Sequence, residues 1–169
     1  MEIMVLLLCI FLLIVGIVNF LWALIFSVPY VPSNKKFIDK CIEILERENI
    51  KTAADLGAGD GRVALAMTRI GIKVDAFEIN PFLSLLIRVE KIFLAPNTLE
   101  VLNKNFEYAH FEKYQAIVVY LMPHIMERME DKLFSQMPEN SVIISNSFKF
   151  KKHNPEKVYN KLYLYRVTK

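Results

Sequence analysis

The chain has 169 residues, enough for one small domain, and a formal net charge of +3. Apolar residues make up 54% of it, which is high for a small soluble domain, and much of the excess lies near the amino terminus. The low net charge, with no basic stripe, argues against nucleic-acid binding. The two cysteines, Cys9 and Cys41, indicate no disulfide framework, and we expect no metal site.

The first predicted element is a long apolar helix. No charged residue occurs from Ile3 to Asn34, and Ile3 to Phe26 is almost wholly Leu, Ile, Val and Phe. As a helix this shorter run would be about 36 Å long, enough to cross a hydrocarbon core of about 30 Å. A cleaved signal peptide fits poorly, because the head has no basic residue and the run is too long. We therefore predict a permanent transmembrane anchor over 1–28.

The residues after this helix predict an orientation. Lys35 and Lys36 follow closely, whereas the short amino terminus has no Lys or Arg. The positive-inside rule then predicts a single-pass membrane protein with its folded domain on the cytoplasmic side. Residues 29–34 contain two prolines and are predicted to be an extended linker, so that the folded domain covers 35–169.

Helical and strand patterns alternate along the rest of the chain. An apolar stripe over 37–45 predicts an amphipathic helix capped by Ser33 or Asn34. Further helices are predicted over 63–71, 81–94 and 126–134, and strands over 52–55, 73–78, 98–102, 116–120 and 141–145, with one or two closing strands in 158–167. This alternation predicts an α/β fold with a mostly parallel sheet and helices on both faces.

A glycine-rich turn follows the first predicted strand. Asp55 precedes Gly57, Gly59 and Gly61, with Ala58 between the first two glycines. The G-x-G-x-G spacing differs from the dinucleotide fingerprint and from the P-loop. Glycines let the backbone approach a ligand closely, and an acid without a lysine suits a cationic or neutral ligand better than a polyphosphate. We expect all five of these residues to contact such a ligand.

A second acid and an amide complete the predicted ligand site. Glu78 ends the second strand, seventeen positions beyond Gly61. In nucleotide-binding α/β folds an acid about twenty residues past the glycine turn accepts hydrogen bonds from ribose hydroxyls. We expect this of Glu78 and a contact from Ile79, the alternative being an ordinary acid at a strand end. Asn105, after the third strand, is either an adenine contact or a surface loop residue.

Asp55 and the glycine turn resemble motif I of class I, S-adenosylmethionine-dependent methyltransferases. An unrelated α/β domain with a glycine-rich turn is the alternative, and Glu78 argues against it. Methylases of base amino groups would carry Asn/Asp-Pro-Pro-Tyr/Phe after the fourth strand. This chain has Tyr120-Leu121-Met122-Pro123 there, which weakens a base-methylating role.

The order of the motifs narrows the resemblance. The chain resembles the small membrane-anchored seven-β-strand protein-lysine methyltransferases of the ATP synthase c-subunit and adenine nucleotide translocase type. The matching features are the apolar helix, the Pro-Tyr-Val-Pro of 29–32, motif I, the Glu-Ile-Asn-Pro of 78–81 and Pro123. The resemblance implies a Rossmann-like methyltransferase fold, S-adenosyl-L-methionine as cofactor, and a lysine of an integral membrane protein as acceptor. It also implies a pocket contact from Tyr30. The family usually has Asp where Asn105 stands.

The end of the fourth strand carries the residues that could orient or deprotonate a lysine amine. Tyr120 lies there and is expected to contact the cofactor as well, and His124 and Glu127 follow it. The alternative for His124 is a surface residue at the start of a helix. We predict Tyr120 and His124 as catalytic candidates without assigning a general base.

Two other functions stay open at this point. One keeps the cofactor and methylates a membrane lipid, a quinone or another small apolar acceptor. The other is a non-catalytic, membrane-tethered adaptor that retains a methyltransferase fold. The intact Asp55, Glu78 and glycine turn argue against the adaptor.

Overall fold

The computed structural model describes residues 2–26, 31–94 and 97–169, with the side chains of 18–26 excepted. The chain divides into two compact units, Met1–Val31 and Pro32–Lys169. Tyr30 lies outside the described residues, so its predicted pocket contact stays a prediction.

The first unit contains one helix, α1, over Glu2–Phe26. Its side chains are described from residue 2 to residue 17, and most of them are exposed. Among the described residues no helix is long and apolar enough to cross a membrane. This finding contradicts the predicted single-pass membrane protein with a cytoplasmic domain. Part of the predicted anchor over 1–28 lies outside the described residues, namely residues 1, 27 and 28 and the side chains of 18–26.

The second unit is built on a seven-strand sheet in the order β3-β2-β1-β4-β5-β7-β6. The strands are β1 Thr52–Leu56, β2 Lys73–Phe77, β3 Leu99–Leu102, β4 Ala116–Val119, β5 Val142–Asn146, β6 Lys157–Tyr159 and β7 Leu162–Arg166. The first five pair in parallel, and β7 runs antiparallel to both β5 and β6. The predicted α/β fold with a mostly parallel sheet is confirmed.

Helices cover both faces of this sheet. They are α2 Lys35–Arg47, α3 Arg62–Arg69, α4 Pro81–Leu94 and α5 Pro123–Gln136, with a short 3-10 helix over Phe106–Tyr108. One apolar cluster contains side chains of α2, α3 and α4, and a second contains those of α5 and the segment after β3. The central parallel strands β1, β4 and β5 contribute buried apolar side chains to both clusters, as expected of a buried parallel sheet.

Local sequence signals explain several element boundaries. Asn34 caps α2, because its Oδ1 accepts a hydrogen bond from Phe37 N at 2.9 Å. The helix α5 begins at Pro123, three residues earlier than predicted, since proline fits the first helical position. The closing region, predicted to form one or two strands, forms two, with Asn160 at φ 59° in the turn between them.

The strand order reverses at β1, which has β2 on one side and β4 on the other. Leu56, the last residue of β1, pairs with Phe77 and with Val119. The next residue of each strand, Gly57, Glu78 and Tyr120, therefore lies at the same carboxyl edge of the sheet. Ligands of open α/β sheets bind at such an edge.

Candidate active site

The glycine loop, residues 57–61, is held tightly against the end of β2. Gly57 N and Ala58 N both donate to the carbonyl oxygen of Phe77 at 2.9 Å. Gly57, Gly59 and Gly61 have φ of 77°, 60° and 83°, which favour glycine. A Cβ on Gly57 would lie 3.1 Å from Leu121 Cδ2, so a side chain there would require Leu121 to shift.

Glu78 fixes the backbone on both sides of the crevice. Its Oε2 accepts from Gly59 N at 2.8 Å, and its Oε1 accepts from Asn80 N at 2.7 Å. Asn80 Oδ1 in turn accepts from Phe82 N at 2.9 Å, which caps α4. Burial raises the pKa of Glu78 above its ordinary value. Its predicted contact with ribose, and that of the half-buried Ile79, stay predictions.

Asp55 is a buried acid whose carboxylate oxygens are only partly hydrogen-bonded among the described residues. Burial, and then the nearby carboxylates of Glu78 and Asp60, raise its pKa from an ordinary 3.8 to about 7. Among the described residues, no group donates a hydrogen bond to its Oδ2. An orphaned carboxylate oxygen beside a glycine loop fits a ligand that brings positive charge or a donor.

Two residues that sequence reasoning missed complete this edge. Asn103 Nδ2 donates to the carbonyl oxygens of Glu78 at 2.8 Å and Ile79 at 3.0 Å, so it joins the ends of β2 and β3. The guanidinium of Arg62 binds both carboxylate oxygens of Asp60 at 2.6 to 3.0 Å. A positive charge in the first turn of a helix is unfavourable because it opposes the helix dipole. This unfavourable position is the sequence feature that could have indicated a special role for Arg62.

Asn105 has a structural role in the local backbone. Its Oδ1 accepts from Glu107 N at 2.9 Å and caps the 3-10 helix that follows. The side chain is half-buried at the end of β3, on the same edge of the sheet as Glu78. The cap uses the oxygen, and the predicted adenine contact stays a prediction.

The residues predicted near the reacting amine are more exposed than the two buried acids of the cofactor side, Asp55 and Glu78. Tyr120 is half-buried, and its ring centroid lies 6.5 Å from that of Phe148. His124 is exposed in the first turn of α5. Glu127 is exposed and pairs with Lys151 Nζ at 2.6 Å. Tyr120 directly follows β4, at the edge of the sheet that carries Gly57 and Glu78, and the catalytic roles predicted for Tyr120 and His124 stay predictions.

Comparison with known families identifies the class of the domain that contains this edge. A family model described as the ANTKMT methyltransferase domain matches residues 55–157, more than half of the chain. The chain belongs to this methyltransferase family. The matched range begins at Asp55 and includes the glycine loop, Glu78 and Tyr120. The predicted family, the S-adenosylmethionine-dependent methyltransferase class of the domain and its cofactor are thereby confirmed.

Curated relatives of this ANTKMT-type domain are lysine methyltransferases by name. The ATP synthase c-subunit lysine N-methyltransferase of Xenopus laevis is 24% identical over 133 residues, which cover 78% of this chain and 58% of that protein. The adenine nucleotide translocase lysine N-methyltransferase of Mus musculus is 28% identical over 125 residues, which cover 72% and 54%. The chain thus spans little more than half the length of these relatives.

A solved structure shares the fold of the ANTKMT-type domain. It is an RNA methyltransferase from Salinibacter ruber in complex with S-adenosyl-L-homocysteine, with a TM-score of 0.75 and 23% identity. The match covers 81% of this chain and 94% of that one. At this identity the match shows the fold, and it says nothing about the acceptor.

Proposed function

We propose that this chain is an S-adenosylmethionine-dependent protein-lysine N-methyltransferase whose acceptor is a lysine of a membrane protein. The observation that most directly supports S-adenosylmethionine as the cofactor is the buried carboxylate of Asp55 beside the glycine loop. Its Oδ2 has no hydrogen-bond donor among the described residues. The names of the relatives support the acceptor, because they specify lysine in an ATP synthase component and in a translocase, which are membrane proteins. The end of β4 lacks the base-methylase motif, which disfavours a nucleic-acid acceptor.

The residues at the carboxyl edge fit the cofactor. When bound, S-adenosylmethionine supplies a sulfonium methyl group, which passes to a neutral amine with release of a neutral thioether and, from the amine, a proton to solvent. Asp55 would accept from the cationic portion, and Glu78 from the ribose hydroxyls. The glycine loop lets the backbone approach the cofactor closely. The main task of the chain in the reaction is to align the amine with the methyl group.

An apolar stripe on α4 supports an acceptor that is itself apolar around its lysine. Six large side chains recur at helical spacing and are between 41% and 80% exposed: Phe82, Leu85, Leu86, Val89, Ile92 and Phe93. Helices of soluble domains normally turn such a stripe toward the core. The stripe begins four residues after Glu78, next to the site, and exposed patches of this kind mark binding surfaces.

The test incubates the full chain with membranes and methyl-labelled S-adenosylmethionine, followed by hydrolysis and identification of the labelled product. We expect methyllysine in a membrane protein. Label that extracts into organic solvent would replace the lysine acceptor with a lipid or another small apolar acceptor. If the chain binds the cofactor and no label is transferred at all, the adaptor alternative is correct.

A pair of variants in the same assay tests the apolar stripe. Val89→Glu introduces a charge on α4, and Val158→Glu makes the same change at a similarly exposed position on β6, where Val158 is 50% exposed and Val89 is 48% exposed. We expect a loss of roughly tenfold in labelling for Val89→Glu alone. Equal labelling by the two variants would remove the stripe from acceptor recognition.

A further inference from the structure

A polar network, buried at Ser33 and Asn146 and exposed at Arg62, joins three elements at the carboxyl edge of the sheet. Ser33 is 7% exposed, and its Oγ accepts from Asn146 Nδ2 at 3.3 Å. The carbonyl oxygen of Ser33 accepts from Arg62 Nη1 at 3.2 Å. Ser33 precedes the cap of α2, Arg62 begins α3 and Asn146 ends β5. One short segment is therefore tied to two elements that are distant in the sequence.

Arg62 connects this network to the glycine loop. Its Nε and Nη2 hold the carboxylate of Asp60, and its Nη1 remains directed at Ser33. A planar guanidinium can serve both partners at once, which a lysine ammonium cannot do with the same geometry. A single side chain thus connects the glycine loop to the segment before α2.

Asn146 connects the network to the other half of the crevice. Its Oδ1 accepts from Ser147 Oγ at 3.1 Å, and Ser147 adopts φ 67° with its N–H donating to Lys161 O at 2.7 Å. The preceding residue, Ser145, forms the last pair with Val119 of β4. Asn146 therefore lies level with Tyr120 at the carboxyl edge.

We propose that Arg62, Ser33 and Asn146 are positioning residues of the methyltransferase site. They act through the glycine loop and the segment at Ser33, and none of them touches the reacting atoms. Hydrogen bonds that hold a site in one geometry before the ligand arrives lower the cost of binding, and the Ser33–Asn146 bond of this network is buried. The proposal rests on the proposed function only for the identity of the cofactor.

The test measures S-adenosylhomocysteine affinity by calorimetry, together with thermal unfolding, for Ser33→Ala, Asn146→Ala and the double variant. We expect each single change to weaken binding by about three- to tenfold. The double variant should bind about as well as the weaker single variant, because both changes remove the same contact. Ser33→Thr keeps the hydroxyl and should restore most of the affinity, and Arg62→Lys should lose affinity although it keeps the charge.

Thr68→Ala is the matched control, since Thr68 Oγ1 makes a buried hydrogen bond to a backbone carbonyl, Leu65 O at 2.8 Å, near the end of α3 away from the site. We expect it to lower the unfolding temperature without changing affinity. Unchanged affinity in Ser33→Ala, or an equal loss in Thr68→Ala, overturns the positioning role. If the affinity losses appear and no methyllysine forms, only the acceptor proposal fails; if the unsubstituted chain does not bind, both proposals fail.

Discussion

The two halves of the crevice are built in different ways. On the cofactor side, comprising Asp55, the glycine loop and Glu78, buried acids and backbone hydrogen bonds fix nearly every group. On the acceptor side, comprising Tyr120, His124 and Glu127, the side chains are half-buried or exposed, and Glu127 is engaged by Lys151. A shared cofactor requires the same backbone geometry in every family member, whereas an acceptor is recognised by side chains that differ among them.

The contrast between the cofactor side and the acceptor side predicts the largest loss of cofactor affinity for a substitution at Gly57. In Gly57→Val, a β-branched side chain must adopt a positive φ while its Cβ lies 3.1 Å from Leu121, so we expect S-adenosylhomocysteine affinity to fall by about 100-fold or more. Gly71→Val is the matched control, because Gly71 has φ 83° with no neighbouring atom within 4 Å of its added Cβ. Calorimetry and thermal unfolding measure both variants.

We expect Gly71→Val to lose stability and keep its affinity. An equal loss of affinity in the two variants would mean that backbone strain, rather than the shape of the site, limits binding. Gly57→Ala and Gly71→Ala form a milder pair that keeps this comparison decisive where the valine variants fail to fold.

The smallest effects are expected on the acceptor side. Glu127→Gln breaks an exposed ion pair, whose contribution to the free energy of unfolding is about 0 to 1 kcal/mol. His124→Asn should reduce the methylation rate by about threefold or less, because His124 is exposed to solvent, and Tyr120→Phe by roughly tenfold, because Tyr120 is half-buried directly after β4. Initial rates with labelled cofactor measure all three, and a 100-fold loss in His124→Asn would make that residue the general base.

Local signals predicted most of the cofactor side. The glycine spacing, the acid before it and the acid after the second strand are all short-range features, and the structure brings all of them to one edge. The α/β alternation predicted the sheet because a parallel sheet leaves little choice of topology. Asn105 follows β3, as the sequence predicted. Its use as a cap depends on the short 3-10 helix after it, which the sequence pattern did not indicate.

Long-range contacts could not be predicted. Ser33 and Asn146 are separated by 113 positions, and neither belongs to a motif. The outward stripe of α4 was also missed, because a helical period shows which residues share a face and not whether that face meets the sheet. The predicted single-pass anchor rested on the hydropathy of the amino-terminal stretch alone, and among the described residues no helix is long and apolar enough to cross a membrane.

Asp55 offers the most direct test of the central claim, that buried acids beside the glycine loop bind the cofactor. Because its pKa in the fold is about 7 against an ordinary 3.8, protonation stabilises the fold, and this contribution is lost as the pH rises through about 7. A cationic ligand needs the ionised form. Its affinity should therefore fall as the pH drops below neutral.

The measurement is a calorimetric titration of S-adenosylmethionine into the full chain at pH 5.5 and pH 7.5, with Asp55→Asn as the comparison. We expect the unsubstituted chain to bind roughly tenfold more weakly at pH 5.5, and Asp55→Asn to bind more weakly at both values with little dependence on pH. No binding by the unsubstituted chain, or the same affinity and pH dependence in Asp55→Asn, would contradict this account of the site.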